Sequence, residues 1–494
     1  MQRNLAVGAC SATIFLALWS GTDIASANGN LIFDNQSAVE IDCSVTNSAN
    51  PVKIPSGQSV PWAYSGGNAA QCSAAGGAAL NIRGLAITSD GPDQTLYFNG
   101  QQTRVLNVAL YPYLPALPAN GAPNFAALAN YVESTFQASN PQVLVNAVMN
   151  QNVDIYNFTG LPTLLTSQTT GYDVMELDML YLGFLAQNNL INSQNASLPD
   201  AYPVALNAAS YNGQLYGIPS WLCMDFLYAV APGAQNATSV ASLLTYLNTG
   251  QQGQTSLVGN FDGSWRLPSM YVNGYIQQYG YSAANIQNAL STPPDATVMQ
   301  NLVQIVNACG ANGGNLCIDG TYHGAANGAT EKAFANGNAF TDVGFSEQDF
   351  YVNFYKGSPG TYAVPMPWGA QIQPLLFADS FVTSAANCAP NSACTSDATN
   401  FIAFMTSQAM RNYIVQSQDQ GSGAPFRTLL VPYRSFYQQP WVQAIPIYAN
   451  YQAVLAGAQP FPNTWTADQQ TSVGWAVCQD FQKVFTNYKC KTGP

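Results

Sequence analysis

The chain has 494 residues, only 8% of them charged, with a net charge of -12 at pH 7. A surface so acidic and so sparsely charged excludes nucleic acid and anionic membranes as natural partners, because both require clustered Lys and Arg. Apolar residues make up 47% and aromatics 12%, ample for more than one core, and a chain this long divides into at least two lobes.

The N-terminus carries an export pattern. Arg3 precedes an apolar run from Leu5 to Trp19, and Ala25-Ser26-Ala27 follows as a small-residue cleavage site, which reads as a signal peptide over residues 1–27. The run is shorter than the roughly 20 residues a membrane span requires. The expectation is a secreted or periplasmic protein starting near Asn28. Of the ten cysteines, Cys10 would leave with the signal. The rest include four sequence-close pairs, Cys43 with Cys72, Cys309 with Cys317, Cys388 with Cys394, and Cys478 with Cys490. Eight cysteines allow about 105 connectivities, and local disulfides are the simplest in an oxidising compartment. Cys223 stands apart from all of them. An odd cysteine in an exported chain is a candidate reactive thiol; the blander alternative is a small buried hydrophobe.

Residues 28–103 read as a β-rich module. Leu31–Phe33, Val39–Cys43, Leu85–Thr88 and Thr95–Phe98 are short strands punctuated by glycine and proline, a sandwich-like pattern. The grain changes near residue 104. Val105–Tyr111 is a nearly continuous apolar run, as in a strand buried on both faces. Phe125–Ala138 has helical spacing, and Tyr172–Asp178 is a second strand ending in a carboxylate. Helices are expected near Met179–Gln187 and Ser239–Leu247. Strands alternating with helices indicate open α/β sheets, whose ligands bind beyond the carboxyl ends of the strands, where Tyr111, Tyr113 and Asp178 fall.

Asn212-Gly213 then makes a turn, Gly217 and Pro219 interrupt an extended run, and an apolar strand from Trp221 to Tyr228 carries Cys223. Such a crossover suits the hinge of a two-lobed binding protein. The second lobe is expected after Tyr228, with helices near Trp265–Gln278 and Thr297–Ala308, and a strand through Val343 to Glu347. Ile372–Val382 is read as a return to the first lobe with Asp379 at its turn. Helices near Asn400–Val415 and Trp475–Val484 complete residues 104–494.

Familiar chemistries find little support. His323 is the one histidine and there is no C-x-x-C pair, so no metal or cofactor is expected. There is no phosphate-cradling G-x-x-x-x-G-K-[ST], and no G-x-S-x-G elbow for His323 to serve. A thiol at Cys223 would need a base, and with histidine nearly absent that base would be a carboxylate, Glu347 being a candidate by its place at a strand end. The bland alternatives are half-buried sheet tyrosines and solvated loop acids.

Several stretches resemble bacterial thiaminase I (thiamine pyridinylase). Leu106–Pro115 is similar to that family's first cleft strand, Asp173–Asp178 to its second, and Asn212–Tyr228 to its nucleophile strand, with Cys223 at the cysteine position. Gly344–Glu347 resembles the segment of the catalytic glutamate, and Leu376–Ser380 that of a substrate-binding aspartate. These motifs lie in family order over about residues 104–490. Phe345 and Phe377 depart from the pattern, replacing family tyrosines.

The resemblance implies an α/β, two-lobed periplasmic-binding-protein type II-like fold behind the β module. It implies that Cys223 adds to the pyrimidine of thiamine while Glu347 takes the thiol proton. An amine or thiol would then replace the departing thiazole. Tyr111 or Tyr113, Tyr156, Asp178 and Asp379 match the substrate-binding positions, and Tyr322 matches a further one only across an alignment gap. No cofactor, nucleic acid or membrane is expected, and the protein is expected to be a monomer. The alternative is a non-catalytic solute-binding protein for thiamine, a related heterocycle or a sugar, since Asn212–Pro219 also resembles the hinge run of sugar-binding proteins.

Overall fold

A computed structural model describes residues 30–490 apart from 47–49, 64–68, 75–76, 86–92, 120–121, 124, 151–152, 154, 251–252, 262–265, 312–313, 323–327 and 357–360. The signal-peptide reading, with Cys10, and His323 lie outside the described residues, as does most of the strand expected at Leu85–Thr88.

The N-terminal strands form two small sheets. Asn30–Asn35 is central to one, between Gln58–Ala63 and Gln94–Phe98, and Ile41–Val45 and Ala69–Ala74 are central to the other. Alternate side chains of Ile41–Val45 are buried, the period-2 pattern of a strand with one wet face. This strand lies two residues beyond the expected Val39–Cys43, and Leu80–Arg83 forms an additional strand. Leu31, Phe33, Ile41, Ile54, Leu96 and Phe98 build this module's core, which reaches Leu144 of the neighbouring sheet.

The first lobe is built on a sheet ordered Val143–Val148, Arg104–Ala109, Val174–Asp178, Leu375–Thr383, Ile218–Cys223. The first three strands run parallel, and Leu375–Thr383 runs antiparallel to both its neighbours. All residues of Val143–Val148, Val174–Asp178 and Leu375–Thr383 are buried, as expected of strands covered on both faces. The helix Ala126–Ser139 packs Leu128, Val132 and Phe136 inward, one stripe at helical spacing. The second lobe holds a sheet ordered Val258–Gly259, Thr341–Phe345, Asp225–Ala229, Tyr362–Pro365.

The hinge hairpin forms as its turn residues dictate. Asn212 and Gly213 both have positive φ, 49° and 76°, and this left-handed pair closes Ser210–Tyr211 on Gln214–Leu215. Three expectations need correction. The second sheet begins at Asp225, so only Met224 separates the two sheets; the run Trp221–Tyr228 gave no break because both strands are wholly buried. Asp379 lies mid-strand rather than at a turn, since its neighbours on both sides leave no solvated bend. The segment 400–415 is two helices, Ala393–Met405 and Gln408–Val415, divided where Ser407 caps the second by accepting from the Met410 N–H at 3.3 Å.

The four local cysteine pairs form disulfides: Cys43–Cys72, Cys309–Cys317, Cys388–Cys394 and Cys478–Cys490. No helix among the described residues is long and apolar enough to cross a membrane.

Candidate active site

Cys223 ends its strand and lies at the crossover from the first sheet to the second, 1% exposed. Across the sheet it stands opposite Phe377, and Trp221 stands opposite Asp379. Two residues beyond Cys223, Asp225 pairs with Phe345 in the second sheet. Between them the carbonyl of Met224 accepts the backbone N–H of Ser346 at 3.1 Å. The residue after Cys223 is thereby bonded to the residue before Glu347. Two segments more than 120 positions apart in sequence meet at one peptide-to-peptide bond. Cys223 and Glu347 then line a common cavity with Tyr111, Tyr113, Asp379, Trp221 and Leu429.

Glu347 sits in a short turn, Ser346–Gln348, that follows the Thr341–Phe345 strand. It is 3% exposed and accepts from the Ser346 hydroxyl at 3.0 Å. The ring of Phe345 is covered by the Arg266 guanidinium, 3.9 Å from the centroid, and Arg266 is held by Asp225 at 2.9 Å. This buried ion pair anchors the start of the second sheet beneath the turn.

The tyrosines gather on one wall. The Tyr156 hydroxyl donates to the Tyr111 hydroxyl at 3.2 Å, and the Tyr113 ring lies 5.5 Å from that of Tyr111 and 5.4 Å from that of Tyr156. Burial, and after it the charges of Asp379 and Glu347, push the Tyr111 phenol well above its ordinary pKa, so it stays a neutral donor. The Tyr111 backbone N–H is fixed by Glu176 at 3.0 Å.

Asp178 and Asp379 are directly opposed on neighbouring antiparallel strands. Both are buried. One Asp178 oxygen caps the following turn by accepting from the Leu180 N–H at 3.1 Å; its other oxygen and one oxygen of Asp379 have no hydrogen-bond partner among the described residues. Burial raises the Asp178 carboxyl to about 8. Burial also pushes Asp379 well above the carboxylate range, with Asp178, Glu176 and Glu347 adding to it. Two carboxyls so placed do not both ionise at neutral pH. The pair offers a proton and acceptor oxygens together, which suits a flat heterocycle with both a ring nitrogen and an amino group.

Thus the fold brings Cys223, Glu347, Tyr111, Tyr113 and Asp379 to one cavity, with Tyr156 against Tyr111 and Asp178 against Asp379. Tyr322 is not among the cavity's lining residues; it is half-buried, and the charges of Asp342 and Asp319 act on it. Trp221 and Leu429 were missed by the sequence reading. For Trp221 a signal existed, since it lies two positions before Cys223 on the same strand. Leu429 follows a long irregular stretch and gave none. Asp173, Cys388 and Cys394 converge closely enough to suggest metal ligands, but the two sulfurs are bonded to each other and Arg83 pairs with Asp173. Cys223 is itself oxidised in this structure, bonded to none of the eight cysteines named above.

No protein-family model matches the chain, and no curated sequence does. Solved structures match strongly in shape. Thiaminase I from Bacillus thiaminolyticus superimposes with a TM-score of 0.59 over 76% of this chain and 99% of its own, at 19% identity. Clostridium botulinum thiaminase I in complex with thiamin gives 0.59 over 76% and 100%, at 17% identity. The maltose-maltodextrin binding protein of Alicyclobacillus acidocaldarius gives 0.51 over 78% and 99%, at 14% identity. The likeness is one of fold. This is the two-lobed periplasmic-binding-protein type II architecture, preceded here by a β module.

Proposed function

We propose that the protein is a secreted thiaminase I-like transferase that cleaves thiamine. The observation that carries this reading is that Cys223 and Glu347 line one cavity, their segments joined by the 3.1 Å bond between Ser346 and Met224. In the proposed reaction reduced Cys223 gives its proton to Glu347, and the sulfur bonds to the pyrimidine carbon beside a ring nitrogen. The ring's electron pair moves to that nitrogen, which takes up a proton. The bond from the methylene carbon to the thiazole nitrogen then breaks, and its electrons leave with the thiazole. An amine or thiol adds to the methylene carbon and loses its proton, the ring nitrogen releases the proton it took up, and the carbon–sulfur bond breaks with its electrons on sulfur, which takes its proton back from Glu347. Covalent catalysis of this kind divides one hard displacement into easier steps.

In this reading Asp178 and Asp379 bind the aminopyrimidine edge, and Tyr111, Tyr113 and Tyr156 pack on the ring. Tyr322 is proposed as a contact from the second lobe. With aniline as acceptor, wild type should consume thiamine, and Cys223→Ala should lose at least about 1,000-fold of that rate. Equal rates would end the proposal. The second reading is a binding protein without chemistry, favoured by the sugar-binding-protein likeness; thiamine bound tightly but never consumed would support it.

A further inference from the structure

We infer that Tyr228 and Tyr451 are positioning residues that fix the Glu347 carboxylate against Cys223, by holding the carbonyls of the two residues before it. The inference rests on the thiaminase-like reading above. The Tyr228 hydroxyl lies 2.7 Å from the Phe345 carbonyl oxygen and 3.0 Å from that of Ser346. The Tyr451 hydroxyl donates to the Ser346 carbonyl at 2.6 Å. Both rings are fully buried. A buried phenol must find some acceptor, so one such bond alone would mean little. Here the hydrogen-bond accounting for Phe345 and Ser346 closes completely. Phe345 N–H donates to the Gln348 side chain at 2.5 Å, and Ser346 N–H to Met224 at 3.1 Å. The two carbonyls are taken by the two tyrosines.

The origin of the tyrosines adds to this. Tyr228 belongs to the strand Asp225–Ala229, which begins two residues after Cys223, so its hydroxyl ties the glutamate turn back to the segment that carries the cysteine. Tyr451 comes from the helix Pro446–Leu455, more than 100 residues beyond the glutamate. The two hydroxyls lie 3.4 Å apart and converge on the Ser346 carbonyl, so two distant elements hold the residue before Glu347. Glu347, Asp349 and Tyr448 are the other titratable groups acting on the pair. Burial, first among the causes, keeps both phenols protonated donors.

The test measures the rate at which thiamine forms a covalent adduct on Cys223, and KM, in Tyr228→Phe, Tyr451→Phe and the double variant. Tyr448→Phe is the control: Tyr448 is equally buried on the same helix, but its hydroxyl faces the Arg427 carbonyl at 3.4 Å. A misplaced base should slow adduct formation about 10- to 100-fold, with KM moved less than about two-fold, as for an interaction that acts in the chemical step. Raising the pH to about 9, where a thiol ionises without help, should restore much of the rate. Unchanged adduct rates, or an equal loss in Tyr448→Phe, would overturn the inference and leave the thiaminase-like reading intact. Absence of any adduct in wild type would remove both.

Discussion

Asp178 faces Asp379 across one strand pair, and Glu347 and Glu176 lie close enough for their charges to raise Asp379 further. At this scale the candidate site is a small carboxylate-rich pocket with one sulfur. Glu347 is the group whose chemistry the proposal needs most. Changing it to Gln keeps size and hydrogen bonding but removes the base. Glu347→Gln should lower kcat for thiamine consumption by about 100-fold or more, with a small change in KM. A variant as active as wild type in a pH-controlled assay would remove Glu347 from the mechanism. Cysteine pairing singles out Cys223, and places at strand ends single out Glu347, Tyr111 and Tyr113; the structure brings these four to one cavity. Asp379 was found but misplaced, since its polar neighbour Ser380 imitates a turn inside a wholly buried strand. Phe345 and Phe377 depart from the family tyrosines, and the structure gives them apolar and cationic company. Phe377 stacks on Phe461 at 4.2 Å and Arg266 covers Phe345.

Among the elements, the crossover at Met224 matters most, because it makes one apolar run serve two sheets. Periodicity could not reveal that division, since both halves are buried on both faces. The β module was legible as a module from its alternation and turns, but its docking was not. Its Arg83 reaches the first lobe and pairs with buried Asp173, while the Arg83 backbone N–H donates to Asn107 at 2.8 Å. Gly84 follows with φ of +61°, and a Cβ there would lie 2.6 Å from the Tyr172 ring. Only glycine fits between module and lobe. Arg83→Ala leaves the buried Asp173 carboxyl without its counter-charge, which should cost about 3 kcal/mol in denaturant unfolding. A loss below about 0.5 kcal/mol, the size of a surface change, would show that the module is held by its apolar contacts alone.

Over the whole molecule, the excess of acid leaves its mark on stability. Burial raises Asp178 to about 8 and Glu176, Glu331 and Asp349 to about 7, whereas unfolded carboxyls titrate near 4. Between those values the folded protein keeps protons that the unfolded chain releases, so stability falls as pH rises. The full contribution is present below about pH 4 and is lost as pH passes through about 7 to 8. Self-repulsion at a net charge of -12 acts in the same direction. The thermal midpoint should be at least about 5 °C higher at pH 5 than at pH 8; a midpoint that rises with pH would contradict the buried-acid assignment. The two-lobed architecture was legible from strand–helix alternation and motif order. The meeting of Met224 and Ser346 was not, because pairing between distant strands leaves no local pattern. That meeting underlies the proposal that Cys223 attacks thiamine, and intact-mass spectrometry tests it most directly. Reduced protein lacking residues 1–27, exposed to thiamine without an added acceptor, should gain one pyrimidinylmethyl group that maps to Cys223 and is absent from Cys223→Ala. Thiamine consumed with no mass gained at Cys223, or thiamine bound and left intact, would contradict it.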